Sequence, residues 1–478
     1  MKISLKLIGL FLGPLLFGIA LLMQSSGYLN PIAWRVLGAA AWMVTWWITE
    51  AAPMAVTALL PIILFPALDV FTLKEATAPY ASPIIFLFMG GFLLALGLEE
   101  HGLHKRIALG LIKITGTSAN GIILGFMLAT AFLSMWISNT ATTIMMLPIA
   151  LSVINLVKHD SIDTTGFNHF SIALMLGIAY AANIGGVATI IGTPPNVVFV
   201  GYAEELLHTE IGFADWMMVG VPVSMLLLLI TYLLLTQVVH KNKLGKMSNA
   251  EALIDDELKA LGKWKAEEKI VAIIFGLTAF MWIFKAPLNN LIGFSLLNDT
   301  VTAMIGGVLM FVIPLDLKGK INLLHWKATQ RLPWGILLLF GGGMTLAKAM
   351  EQAGLVNIIA EVISQNHFSV LLIFLILITT MLFMTELMSN VALATIFIPI
   401  VMAIATGVNI NPLLLSIPVA MAASCAFMMP ISTPPNAIVF SSGHVKISQM
   451  VKVGIWLNIL SVIVLLGAAF SLIEWVFG

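Results

Sequence analysis

Two stretches decide how this chain is read: SNTATTIMMLPIA, running from Ser138, and SNVALATIFIPI, running from Ser389. Each is followed by a second interruption, TPPNVVF from Thr193 and TPPNAIVF from Thr433. All four break apolar helical patterns. Broken backbone at membrane depth persists only where it is buried in protein or lines a cavity, so the four breaks are the first candidates for a site.

The surrounding chain is apolar. Of 478 residues, 60% are hydrophobic and 10% charged, and mean hydropathy is +1.04. A soluble domain carries roughly 25% charged residues, so this is an all-α polytopic membrane protein. Apolar runs of near-spanning length lie near Lys6–Met23, Ile32–Ile48, Met54–Leu68, Ile84–Leu98, Ser171–Ile191, Trp216–Thr236, Ile270–Phe284, Val301–Ile313, Trp334–Met350, Pro412–Met428 and Val453–Phe477. They predict about eleven transmembrane helices. The formal net charge of +0 suggests no nucleic-acid partner, and the lone Cys425 excludes an internal disulfide framework. The sequence has no Walker loop, GxGxxG or GxSxG stretch and no acid/base, nucleophile or zinc-ligand constellation, which argues against ATP-driven transport and against an enzyme. MKISLKLIGLFLGPLLFGIALLMQSSG is followed by no A-x-A-like site and reads as a retained first helix.

The chain divides into two similar halves. FLFMGGFLLALGLEEHGL from Phe86 matches LLLFGGGMTLAKAMEQAGL from Leu337, pairing Gly90-Gly91 with Gly342-Gly343. AVTALLP from Ala55 and TVTAMIG from Thr300 match more weakly. The reading is an extra N-terminal helix in 1–30, a first repeat in 31–239 with a hairpin around 119–157, a linker in 240–269, and a second repeat in 270–478 with a hairpin around 369–408. Five spans per repeat make the second copy inverted. The linker's AEALIDDELKALGKW suits an amphipathic helix lying at the cytoplasmic face with its charges solvated. With a cytoplasmic N-terminus and hairpins that enter and return on one side, every basic residue except Arg35, Lys74, Lys285 and Lys348 falls on the cytoplasmic side.

At each Ser-Asn break a helix C-terminus meets a helix N-terminus. Carbonyls with partial negative charge and N–H groups with partial positive charge then stand side by side, able to hold a cation and an anion together. In the Thr-Pro-Pro-Asn stretches two prolines remove donors and leave nearby carbonyls free, while Gly185, Gly186 and Gly192 allow close backbone approach. Hydroxyls and amides dominate the breaks and no charged side chain stands in them. An anion held there needs helix N-termini and bound cations to offset its charge, which is a physical reason for cotransport. Among carboxylates, Glu50 reads as interfacial, and Glu386 as a residue that stabilises the hairpin, tunes the site or couples protons. Glu99, Glu100, Lys348 and Glu351 read as helix-end charges.

Paired SNT-type hairpin motifs, each followed by a TPPN-type break, with FxGGxxLAxxxExxGL stretches, resemble the divalent anion/sodium symporter family of dicarboxylate and citrate transporters. The resemblance covers nearly the whole chain from about Trp46. It implies eleven transmembrane helices, two re-entrant helical hairpins in two inverted repeats, a homodimer in the inner membrane, and elevator-type alternating access. Carried over by motif position, it implies one sodium site at Ser134, Ser138, Asn139 and the backbone near Gly192. A second would use Thr385, the Met388 carbonyl, Asn390 and the backbone near Ser432, giving about two or more sodium ions. The dicarboxylate would touch Asn139, Thr140, Thr193, Pro194, Ser389, Asn390, Thr433 and Pro434. The second tip departs from the pattern: Val391 stands where Thr140 stands in the first. The function so implied is sodium-coupled symport of a C4 dicarboxylate such as succinate, malate or fumarate. Anion exchange, or symport of citrate, 2-oxoglutarate or sulfate, is the alternative.

Overall fold

The structure is a computed structural model. It describes residues 4–26, 28–116, 118–160, 164–242, 244–245, 248–292, 297–315, 322–355, 358 and 369–478. Lys2, Lys243, Lys246, Lys318 and Lys320, which enter the charge asymmetry, lie outside the described residues.

The chain is all-α. Among the described residues, seven helices are long and apolar enough to cross a membrane, or eight if Ala266–Ile283 and Lys285–Leu291, bent by 81°, form one span. Five shorter apolar helices of 10–17 residues include Met54–Ala67, Asp299–Val312 and Pro412–Ala422, all within runs expected to span. Of these three, only Pro412–Ala422 ends at one of the four breaks, and length alone does not recover eleven crossings. Conversely, Asn139–Lys158 and Asn390–Gly407, expected as hairpin arms, pass the spanning test. Large apolar side chains stand exposed on the outer faces, such as Phe11, Ile63, Met225, Val312 and Ile463. Such a surface requires lipid rather than water around it. By contrast, Thr164–Val187 is buried along its whole apolar length.

The glycine pairs explain how the halves interlock. A Cβ on Gly90 would lie 2.6 Å from the Ala303 carbonyl carbon. A Cβ on Gly342 would collide with the Ala58 carbonyl oxygen. Gly90 and Gly342 occupy matching positions in the GG stretches, and Ala58 and Ala303 match in the AVTA and TVTA stretches. Each half therefore inserts its glycine against the other half's alanine. Backbones touch there, and only glycine fits.

The linker is tied down rather than merely solvated. Its helix Ser248–Ala260 packs on Leu103–Ile114 and on Asn139–Asp160, with Ile254 buried. Lys113 meets Asp255 at 2.7 Å, and this bond holds the Asp255 carboxyl below its usual range. Arg106 reaches the Leu261 and Gly262 carbonyls and the buried Glu268 carboxylate, and its guanidinium stands 5.2 Å from the Trp264 ring centre.

Candidate functional site

Each Ser-Asn motif joins two packed helices. Ala119–Ser134 leads to Asn139–Asp160 in the first half, and Val370–Met384 leads to Asn390–Gly407 in the second. Ser118 and Ser369 cap the incoming helices by accepting the Gly121 and Leu372 N–H groups. Ser138 and Ser389 cap the outgoing ones by accepting from Ala141 at 3.2 Å and Ala392 at 3.5 Å. The broken helices follow the same plan. Thr164–Val187 resumes at Pro194–Leu207, and Pro412–Ala422 resumes at Pro434–Ser441. Thr193 and Thr433 are extended, as residues before proline must be, and the prolines occupy the first helical turn, where no intrahelical donor is lost.

All four breaks face one cavity of about 660 Å³. Of the residues expected at the site, Ser138, Asn139, Thr140, Gly192, Thr193, Pro194, Met388, Ser389, Asn390, Val391, Ser432, Thr433 and Pro434 line it. Ser134 and Thr385 do not; both are fully buried behind the tips. Ser134 Oγ lies between Asn139 Oδ1 at 2.6 Å and the Ala182 carbonyl at 2.8 Å. Thr385 Oγ1 repeats the arrangement, 2.7 Å from Asn390 Oδ1 and 2.8 Å from the Ala423 carbonyl. Around the first amide the Gly192 and Ala182 carbonyls also stand at 3.2 and 3.3 Å. Turned with its nitrogen inward, Asn139 donates to these acceptors. Turned with its oxygen inward, it completes an all-oxygen shell of the kind hard cations occupy.

The freed carbonyls of the proline breaks are largely claimed by the motif's own asparagine, a role the sequence reading did not assign. Asn196 Nδ2 donates toward the Gly186, Val187 and Thr189 carbonyls at 3.1, 3.3 and 2.8 Å. Asn436 Nδ2 serves the Ala426 and Met429 carbonyls at 3.0 and 3.1 Å. The signal was present, since the asparagine ends both TPPN motifs. Cross-links also join the breaks: Asn183 Nδ2 donates to Thr433 Oγ1 at 3.1 Å, and Ser424 Oγ donates to Thr193 Oγ1 at 3.3 Å.

Glu386 is almost fully buried and accepts from the Phe427, Met428 and Met429 N–H groups at 2.7, 2.9 and 3.2 Å and from Asn458 Nδ2 at 2.8 Å. It pins the second tip to the second broken helix. Glu50 pairs with Lys6 at 3.3 Å, with both side chains exposed, and also borders the cavity. Lys348 reaches Glu205 at 3.2 Å, and Glu99 and Glu100 hold Arg331.

The model of the sodium:sulfate symporter transmembrane region matches residues 5–478. The sodium-dependent dicarboxylate transporter SdcS of Staphylococcus saprophyticus is 43% identical over 479 residues, covering 99% of this chain and 92% of that protein. SdcS of Staphylococcus aureus is 42% identical over 486 residues, with the same coverage of 99% and 92%. Among solved structures, Neisseria gonorrhoeae MtrF superposes with a TM-score of 0.59 at 12% identity, covering 100% of this chain and 96% of that one. The Alcanivorax borkumensis YdaH transporter gives 0.58 at 12% identity and 98% of each chain. These two likenesses bear on fold alone.

Proposed function

Since the chain belongs to the sodium:sulfate symporter family, the divalent anion/sodium symporters that its motifs resemble, we propose that it carries C4 dicarboxylates together with sodium ions across the cell membrane. One observation carries the reading. Four helix breaks from two halves converge on one cavity, and the floor they form offers hydroxyls, amides, carbonyls and helix N-termini and no charged side chain, while Glu50, Glu99 and Arg331 line the cavity from outside the breaks. Such a floor suits a divalent anion only when cations accompany it. Sodium fits the oxygen groups behind each tip, where Ser134 with Asn139 and Thr385 with Asn390 repeat the same distances. The dicarboxylate lies between the tips, against Asn139, Thr140, Ser389, Asn390 and the Thr193 and Thr433 breaks. The names of the staphylococcal relatives support dicarboxylate over sulfate.

The rest of the mechanism follows from the duplicated build. The two helix pairs are re-entrant hairpins in inverted repeats, a reading supported by the reciprocal contacts of Gly90 with Ala303 and Gly342 with Ala58. Homodimeric assembly, elevator-type movement and a cytoplasmic N-terminus rest on the family resemblance and on the distribution of basic residues.

Labelled succinate uptake into proteoliposomes tests the proposal, comparing an inward sodium gradient with matched potassium and choline gradients. Uptake with sodium alone is expected. Equal uptake in all three cations into dicarboxylate-loaded vesicles would mean exchange, and no uptake in any would turn the search to sulfate, citrate or 2-oxoglutarate.

A further inference from the structure

The four breaks bring no charged side chain to the cavity, but Glu50, Glu99 and Arg331 also line it, the last beside Leu332 and Pro333. Arg331 uses both arms of its guanidinium: Nη1 meets Glu100 Oε2 at 2.7 Å and Nη2 meets Glu99 Oε2 at 2.7 Å. One arginine thus bridges two carboxylates on adjacent residues. Arg331 and Glu100 are about half exposed, at 47% and 49%, whereas Glu99 is mostly buried at 21%. The Arg331–Glu100 pair is open to solvent, and a pair of that kind contributes little to stability. Arg331 and Glu99 also border a second space of about 680 Å³, lined by residues of both helices of the first pair.

We propose that Arg331 is a transient station for the divalent anion at the mouth of the cavity, where the two carboxylates of the substrate exchange with those of Glu99 and Glu100. This rests on the dicarboxylate reading above. The chemistry favours two acids over one. A planar guanidinium binds carboxylates through parallel charge-assisted bonds, and a dicarboxylate can replace both resident partners where a monocarboxylate replaces one. The resident acids matter equally. A bare arginine would retain a dianion, whereas competition from Glu99 and Glu100 keeps the station weak enough to pass its ligand on. Lysine at 331 would keep the charge and lose the two-armed geometry.

The test measures sodium-driven succinate transport from each face, in right-side-out and inverted vesicles. Arg331→Gln is expected to raise the half-saturating succinate concentration about ten-fold from the face to which the cavity opens. From the other face it should stay within about two-fold, with maximal rates preserved, and Arg331→Lys should recover only part of the loss. The double change Glu99→Gln with Glu100→Gln is expected to act in the opposite direction, lowering half-saturation and slowing turnover from the same face, an outcome misfolding cannot imitate. Parental half-saturation in Arg331→Gln, or equal shifts from both faces, would overturn the assignment of Arg331 while leaving succinate transport intact. Absence of succinate transport by the parent protein would overturn both.

Discussion

The two tips share a motif but are seated differently. In the first half, Trp136 is 9% exposed and stacks on Phe213, with Phe275 edge-on, and Ile191 in the neighbouring break is 8% exposed. At the corresponding positions of the second half, Leu387 is 72% exposed and Ile431 is 74% exposed. The ties also run in opposite directions. The first break donates, through Thr189 Oγ1, to the Met135 carbonyl at 2.5 Å. In the second, Glu386, which takes the place of Met135, accepts from three backbone N–H groups of the break. The reason lies in length. The first break covers residues 188–193 and the second 423–433, and the longer one leaves more donors without helical partners. A duplicated motif therefore keeps the geometry of its tip while its anchoring is free to diverge.

The sharpest way to break this comparison is to remove the second anchor. Glu386→Ala leaves three N–H groups and the Asn458 amide without their acceptor, and is expected to lower stability by roughly 3 kcal/mol or more and to abolish transport. Thr189→Val in the first half loses a single bond and should cost about 1 kcal/mol. Thermal unfolding in detergent measures both, and equal costs would erase the asymmetry. Next come the interlocking glycines. Gly90→Ala and Gly342→Ala each push a methyl into backbone of the other half, and each should destabilise by about 1–3 kcal/mol. A large effect at one with none at the other would break the reciprocity. Third, Asn139→Ala and Asn390→Ala should each reduce sodium-driven succinate uptake by roughly ten-fold or more, since each removes the amide that links tip to buried hydroxyl. Parental rates in both would remove these tips from the binding site. The smallest effects belong to the residue that follows each Ser-Asn pair, Thr140 in the first tip and Val391 in the second. Thr140→Val should raise half-saturating succinate a few-fold, and Val391→Thr should shift the preference for malate over succinate by a few-fold, because a hydroxyl added to the cavity wall can pair with one on the substrate.

Much of this was legible in sequence because it was written twice. The Ser-Asn and Thr-Pro-Pro-Asn motifs located the four breaks, and helix-end electrostatics suggested a purpose for them. What stayed hidden depends on contacts between distant segments. Glu386 lies 41 positions from Phe427, and no local pattern announces that the Phe427 N–H turns toward it. Arg331 reads as one more cytoplasmic charge until the fold brings it against Glu99 at 2.7 Å. The AVTA and TVTA match is weak as text and decisive as packing, because one alanine per half is the part that glycine must accommodate. Length rules pass over Ala119–Ser134, Val370–Met384 and Pro412–Ala422 for the opposite reason: each ends at one of the four breaks.

The burial of Thr164–Val187 also bears on how the chain is made. This helix carries Asn183, whose amide finds the Ala426 carbonyl 243 residues later in the chain. At a synthesis rate of roughly 5–20 residues per second, that separation imposes a delay of roughly ten to fifty seconds between the emergence of the helix and that of its partner. During that interval the Asn183 amide lacks the partner it has in the finished fold, and the ribosome's pace sets how long the half-built protein stays open to mispairing.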